Sequence, residues 1–254
     1  NPPVKLAVIF DQLLSVGGGY QQALNIVSQV TKIDSKCCKP IFFTNHHQNI
    51  SILKSHGIDC HFLGISVFGR AILKVRGIIN SQRLFRNKTN IFGLNKFERI
   101  LLRNKVDLVY FISPSSWANY LERLNFIITV WDLCHRDQLE FPEIRVNRTF
   151  EERELSYHSS LIKATAVIAD SDLGKENIIR RYGVDEERVH VIAFSPALGI
   201  KEHVSTKNKS SINIKKKYKI DGEYIFYPAQ FWAHKNHIYI LQGLQILNSK
   251  YGIR

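Results

Sequence analysis

The chain has 254 residues, of which 44% are hydrophobic and 22% charged. Those figures fit an ordinary soluble globular protein and exclude a disordered or collagen-like one. Lysine and arginine number 35 against 22 acids, a formal charge of +13, so the surface should attract phosphate, nucleic acid or anionic lipid without choosing among them.

Val4–Phe10 (VKLAVIF) is a short, apolar, partly β-branched run that predicts a buried parallel strand. The loop Asp11–Tyr20 ends in Gly17, Gly18 and Gly19. Ala23, Ile26, Val27 and Val30 then predict a helix over Gln21–Val30. Pro40–Thr44 reads as a second strand, Gln48–His56 as a helix and Asp59–Leu63 as a third strand. Composition changes at Ser66–Lys105, which holds ten basic residues and one acid, Glu98. Within it Phe68, Ala71, Ile72, Val75 and Ile79 recur at helical spacing, the pattern of a basic amphipathic helix. Strands resume at Val106–Ile112 and Asn125–Val130, with a helix near Trp117–Arg123 between them. There follow a helix over Phe150–Lys163, a strand over Ala166–Asp170, a helix over Leu173–Tyr182 and a strand over Val189–Phe194. Ser171 is placed as an N-cap and Gly183 as a C-terminal stop. Six or more βα units in a row imply an α/β fold with a doubly wound, mostly parallel sheet.

The predicted domains are 1–196, a Rossmann-like domain; 197–222, a lysine-rich linker; and 223–254, a strand Tyr224–Tyr227 with a helix His237–Tyr251. That last piece is the first βα unit of a second domain, since about 30 residues bury no core of their own. No apolar run approaches the roughly 20 residues that cross a bilayer. The start, Asn1-Pro2-Pro3-Val4-Lys5, lacks the features of a secretory signal. Cys37, Cys38, Cys60 and Cys134 have no CxxC spacing, which argues against a zinc or redox motif and for reduced thiols in a cytoplasm. The absence of any Met reads as a processed or excerpted chain.

Four places carry chemistry. Gly17, Gly18 and Gly19 follow a strand and open a helix, where backbone amides can approach an anion or sugar; the bland reading is a loop that needs positive φ. The spacing is wrong for a dinucleotide fingerprint, so no nicotinamide cofactor is expected. Trp131-Asp132-Leu133-Cys134-His135 follows a strand, and ligands of open α/β sheets bind beyond the carboxyl ends of strands. Asp132 and His135 are the candidate catalytic pair. Ser171 is a plain cap by default and a donor contact otherwise. In Tyr227–His237 (YPAQFWAHKNH), Lys235 stands at a helix start, where a cation is disfavoured unless an anionic ligand balances it. Among the bases of Ser66–Lys105, we assign Arg70, Lys74, Arg76, Arg83 and Arg86 to an acceptor- or membrane-facing surface. The remaining histidines have no metal spacing, and no metal is expected.

With those residues in hand, the chain resembles the family-4 (group 1) glycosyltransferases of the GT-B fold, bacterial mannosyltransferase-like enzymes of surface polysaccharide and lipopolysaccharide synthesis. The matching segments are GGGYQQALNIV, TVWDLCHRDQLEFPEI, KATAVIADSDLGKENIIRRYGVDEERVHVIAFSP and YPAQFWAHKNH. The resemblance implies two facing Rossmann-like domains, the first for an acceptor and the second for a sugar nucleotide. It also implies a product that keeps the donor's anomeric configuration. Gly17, Gly18 and Gly19 match the family's glycine loop beside the donor phosphates, and Lys235 matches its diphosphate-binding lysine. Gln230 stands where many members carry arginine. Trp131 replaces the histidine of the family's Thr-Val-His-Asp stretch, and His135 is the candidate to take over part of its role.

No Asp or Glu follows Glu223, whereas members carry a pair of sugar-contacting glutamates late in the second domain. The chain is therefore expected to be an acceptor domain plus the start of a donor domain, and not to transfer sugar alone. The implied activity is retaining transfer of a hexose, such as mannose, from a GDP- or UDP-sugar to a glycan or lipid-linked acceptor. The expected setting is cytoplasmic, peripheral on the inner, anionic face of the cell membrane. No cofactor is implied beyond the nucleotide-sugar substrate, and no nucleic-acid motif is visible. The rivals are a sugar-nucleotide epimerase on the same fold and a non-enzymatic polyanion- or membrane-binding module.

Overall fold

A strand whose side chains are apolar on both faces must be covered on both faces, and β1 (Val4–Phe10) is such a strand. In a computed structural model of the chain, which describes residues 2–15, 18–81, 94–196 and 213–252 (side chains of 76–81 excepted), β1 sits in the middle of the sheet. Leu6, Val8 and Phe10 point to one face, where Ala23, Val27 and Val30 of α1 (Gly19–Val30) and Leu53 of α2 (His47–Ser55) cover them. Ala7 and Ile9 point to the other, into a larger core with Phe43, Phe97, Leu101 and Phe111. One strand thus divides two cores.

Around it lie β2 (Cys38–Thr44), β3 (Cys60–Phe62), α3 (Val67–Ser81), α4 (Lys96–Arg103), β4 (Leu108–Phe111) and β5 (Asn125–Val130). There follow α5 (Cys134–Asp137), α6 (Pro142–Arg145), α7 (Thr149–Ser160), β6 (Ala166–Ala169), α8 (Asp172–Tyr182) and β7 (Val189–Val191). The seven strands form one parallel sheet in the order β3-β2-β1-β4-β5-β6-β7. The doubly wound α/β expectation is met. Chain direction across the sheet reverses between β1 and β4, where Leu6 pairs with Leu108 and Ile9 with Phe111. That reversal splays the loops leaving the two strands apart and opens a crevice at their carboxyl ends.

Helix limits follow their caps. Ser171 Oγ accepts from Gly174 N at 3.1 Å to start α8, and Gly183 at φ 64° ends it. Asn95 does the same for α4, its Oδ1 accepting from Glu98 N at 2.9 Å. The predicted helix near Trp117–Arg123 is a short 3-10 turn over Ser116–Tyr120.

The chain divides into two compact units, Asn1–Leu133 with Arg153–Lys201, and Cys134–Glu152 with Glu202–Arg254. The first holds the whole sheet. The second holds α9 (Ile214–Tyr218) and α10 (His237–Tyr251). In it Glu143 accepts from the His234 backbone amide at 3.1 Å and pairs with the His234 ring. Tyr224–Tyr227, predicted as a strand, lies in no sheet. A strand exists only against a hydrogen-bonded neighbour, and among the described residues this segment has none. The helix half of the predicted unit, His237–Tyr251, forms with the predicted bounds.

Candidate functional site

The rim of the first unit is built where its strands end. Asp11 follows β1, Thr44 to His46 close β2, Ser113 and Ser115 follow β4, Trp131 and Asp132 follow β5, and Asp170 and Ser171 follow β6. Asp11 and the two serines face each other across the β1–β4 crevice. Ser113 Oγ donates to Asp11 Oδ1 at 2.9 Å, and the Ser115 side chain also bonds the Asp11 carboxyl. Burial raises the Asp11 carboxyl, the hydrogen bonds from Ser115 and Ser113 oppose it, and the balance leaves its pKa at about 6. A carboxyl poised near neutrality in a cleft is a candidate for chemistry on physical grounds.

The loop after β1 is held by buried Asn49. Its Oδ1 accepts from Leu14 N at 2.9 Å, and its Nδ2 donates to Gln12 O at 2.8 Å and Thr44 Oγ1 at 3.0 Å. Thr44 Oγ1 in turn donates to Phe10 O at 2.9 Å, and His46 Nε2 bonds Asp11 O at 2.9 Å. These bonds fix the path by which the glycine loop leaves the sheet.

Gly18 begins α1 with open space where a side chain would stand, whereas a Cβ on Gly19 would land on the Trp131 ring, Cζ3 at 2.9 Å. The indole therefore lies directly on the helix start, with Phe194 edge-on at 6.3 Å. Its Nε1 is buried and finds no hydrogen-bond partner among the described residues. Beneath it Phe10, Gln12, Tyr20, Ile112 and Ser113 line a recess of about 10 Å³, room for a single water. From the other side α1 holds the segment after β7, through Gln22 Nε2 and Asn25 Nδ2 to Ser195 O, both at 2.9 Å.

The structure places the sequence candidates unevenly. Gly19 stands at this crevice with Trp131; Gly17 lies outside the described residues. Asp132 is tied to Arg153, whose Nη2 donates to its backbone oxygen at 2.7 Å and its Oδ1 at 2.6 Å. His135 is fully buried, in the second unit, its ring 5.8 Å from that of Phe150. Ser171 caps α8 and donates to Asp170 Oδ1 at 3.0 Å. Gln230 and Lys235 are exposed in the second unit. Lys235 lies on a 3-10 turn, Ala233–Lys235, whose last carbonyl accepts from Tyr227 Oη at 2.9 Å. Among the described residues nothing pairs with its ammonium. Asn236, in the left-handed region at φ 48°, then caps α10. Arg70 and Lys74 are exposed on α3; the Arg76 side chain, Arg83 and Arg86 lie outside what the structure describes. Among the described residues no three His, Cys, Asp or Glu side chains gather as a metal cluster would.

Sequence reading passed over Asp11, although the signal was there. It directly follows an apolar strand, much as Asp132 stands two residues beyond β5. Asn49 left no signal, because its role depends on three backbone groups that only the fold brings together.

No family model and no curated protein matches this sequence. The structure is similar to UDP-N-acetylglucosamine 2-epimerase from Rickettsia bellii, at 13% identity and TM-score 0.52, over 99% of this chain and 60% of that one. It is similar to S. aureus MnaA in its UDP co-structure, at 15% identity and TM-score 0.53, over 86% and 51%. A glycosyltransferase from Rickettsia africae ESF-5 aligns at 14% identity and TM-score 0.48, over 87% and 51%. The chain thus spans about half to three-fifths of the length of these structures. The fold is that of a Rossmann-like α/β domain of GT-B type, as in the R. bellii epimerase and MnaA structures.

Proposed function

We propose that this chain is the acceptor-side part of a sugar-nucleotide-processing GT-B enzyme, and that its activity is retaining transfer of a hexose. The donor is a GDP- or UDP-hexose, and the acceptor a glycan or lipid-linked glycan. The observation that carries the reading is the β1–β4 crevice, where Ser113, bonded to Asp11, lines a recess with Gly19 at the start of α1 and Trp131.

The chemistry is leaving-group stabilisation. The anomeric carbon–oxygen bond to the diphosphate breaks, a bond from the acceptor oxygen to that carbon forms, and the acceptor's proton ends on the departing phosphate. The amides at the start of α1 are assigned to the developing negative charge, where preorganised donors are most effective. Asp11 is assigned to orient the acceptor hydroxyl. Trp131, in place of a histidine, shapes the sugar side of the crevice. Asp132, paired with Arg153, steadies the turn that carries Trp131.

A second reading, epimerisation of a UDP-sugar, is favoured by the R. bellii 2-epimerase and the MnaA–UDP structure among the neighbours. Acceptor dependence separates the two. The protein at its natural full length is incubated with a panel of nucleotide sugars, with and without lipid-linked acceptor, and followed by proton and phosphorus NMR. Transfer releases nucleoside diphosphate only when acceptor is present. A new sugar epimer formed without acceptor would establish the second reading, and no turnover of any donor would end both.

A further inference from the structure

Helix α3 is apolar on its outside. At 100° per residue, Val67, Phe68, Ala71, Ile72 and Val75 share an arc of about 140°. Val67, Phe68, Ile72 and Val75 are 74%, 76%, 52% and 58% exposed. The opposite side faces the protein: Leu73 is 3% exposed, and a Cβ on Gly69 would press on Ile65 Cγ2 at 3.2 Å. A helix that merely covers a core hides its apolar stripe, and this one displays it beside the exposed cations Arg70 and Lys74. Val67–Ser81 contains no acid, and the sequence beyond it adds Arg83, Arg86 and Lys88 before Glu98.

We propose that α3 is an interfacial helix that lays Val67, Phe68, Ile72 and Val75 among the acyl chains of an anionic bilayer, with Arg70 and Lys74 at the headgroups. Its 15 residues span about 22 Å, too short to cross the hydrocarbon, and among the described residues no helix is long and apolar enough to do so. An apolar stripe bordered by cations instead suits a helix lying in the plane of the interface. Charge complementarity selects the occupant. A second copy docking through the same face would set Arg70 and Lys74 against their own like charges, and a polyanion such as DNA would leave Phe68 and Ile72 in water. The inference is independent of the sugar-nucleotide reading: a membrane-docked epimerase or a non-enzymatic module would satisfy it equally.

The test is co-sedimentation of the protein with vesicles of phosphatidylcholine alone and of phosphatidylcholine mixed with phosphatidylglycerol. The wild type is expected to bind the mixed vesicles and to be released by salt. Phe68→Ala/Ile72→Ala should weaken that binding on the order of tenfold. Arg70→Gln/Lys74→Gln should weaken it about 25-fold, near fivefold for each charge. These side chains are exposed, so both variants should keep the far-ultraviolet circular dichroism and urea midpoint of the wild type, which separates lost docking from lost folding. Binding to the mixed vesicles unchanged in either variant, or absent in the wild type, would overturn the proposal. So would a concentration-dependent dimer abolished by Phe68→Ala/Ile72→Ala, or DNA binding that the charge variant loses and the apolar variant keeps.

Discussion

Asp11 has an ordinary carboxyl pKa of 3.8 when unfolded and about 6 in the fold, so folding favours its protonated form. The stabilising contribution is therefore complete below pH 3.8 and lost as pH rises through about 6. The groups around the carboxyl are Ser113, Ser115 and His46, and all three are present in both proteins. Asp11→Asn is neutral throughout. Its stability relative to wild type should rise by at most about 3 kcal/mol from about pH 4 to about pH 7, as urea unfolding at the two values would measure. A difference that stays flat would mean the carboxyl is solvated. Gly19 and Trp131 supply a second residue-scale expectation. Gly19→Ala drives a methyl into the indole and should cost about 1–3 kcal/mol. Adding Trp131→Ala should return most of that loss in a double-mutant cycle. Gly19 was legible in the sequence as a helix-opening glycine; that its lack of a side chain makes room for Trp131 was not, because positions 19 and 131 meet only after β1 and β5 take their places.

Among the elements, the sheet strands and α8 were the most legible. Asn125–Val130 forms with its predicted bounds, and Ser171 and Gly183 close α8 as expected. Ser171→Ala should cost about 1 kcal/mol of stability; a loss of nucleotide affinity beyond that would give Ser171 a donor contact as well as a cap. The basic stretch was harder to read, since charge overshadowed pattern. Its one acid, Glu98, is fully buried on α4, and its carboxylate accepts from the backbone amides of Glu122 at 3.0 Å, Arg123 at 2.6 Å and Leu124 at 2.8 Å. It thereby organises the entry to β5. Glu98→Ala would leave three amides without their acceptor and should destabilise by about 3 kcal/mol or more, lowering the urea midpoint. An exposed apolar stripe likewise has the same spacing as a buried one. Periodicity located α3 and could not say which way it faces.

At the scale of the molecule, alternation of strands and helices sufficed for the class of fold, and the strand order did not follow from it. Helical and strand periodicities are local, whereas the reversal between β1 and β4 is a property of pairing between distant segments. That reversal is what turns Asp11, Ser113, Gly19 and Trp131 into one crevice. The measurement that bears most directly on it is hydrogen–deuterium exchange of the full-length protein with and without a GDP- or UDP-hexose. Protection of the backbone at 11–20, 113–117 and 129–132 is expected if the sheet's reversal point holds the donor. Donor binding that protects other segments and leaves these amides exchanging at their free rate would contradict it.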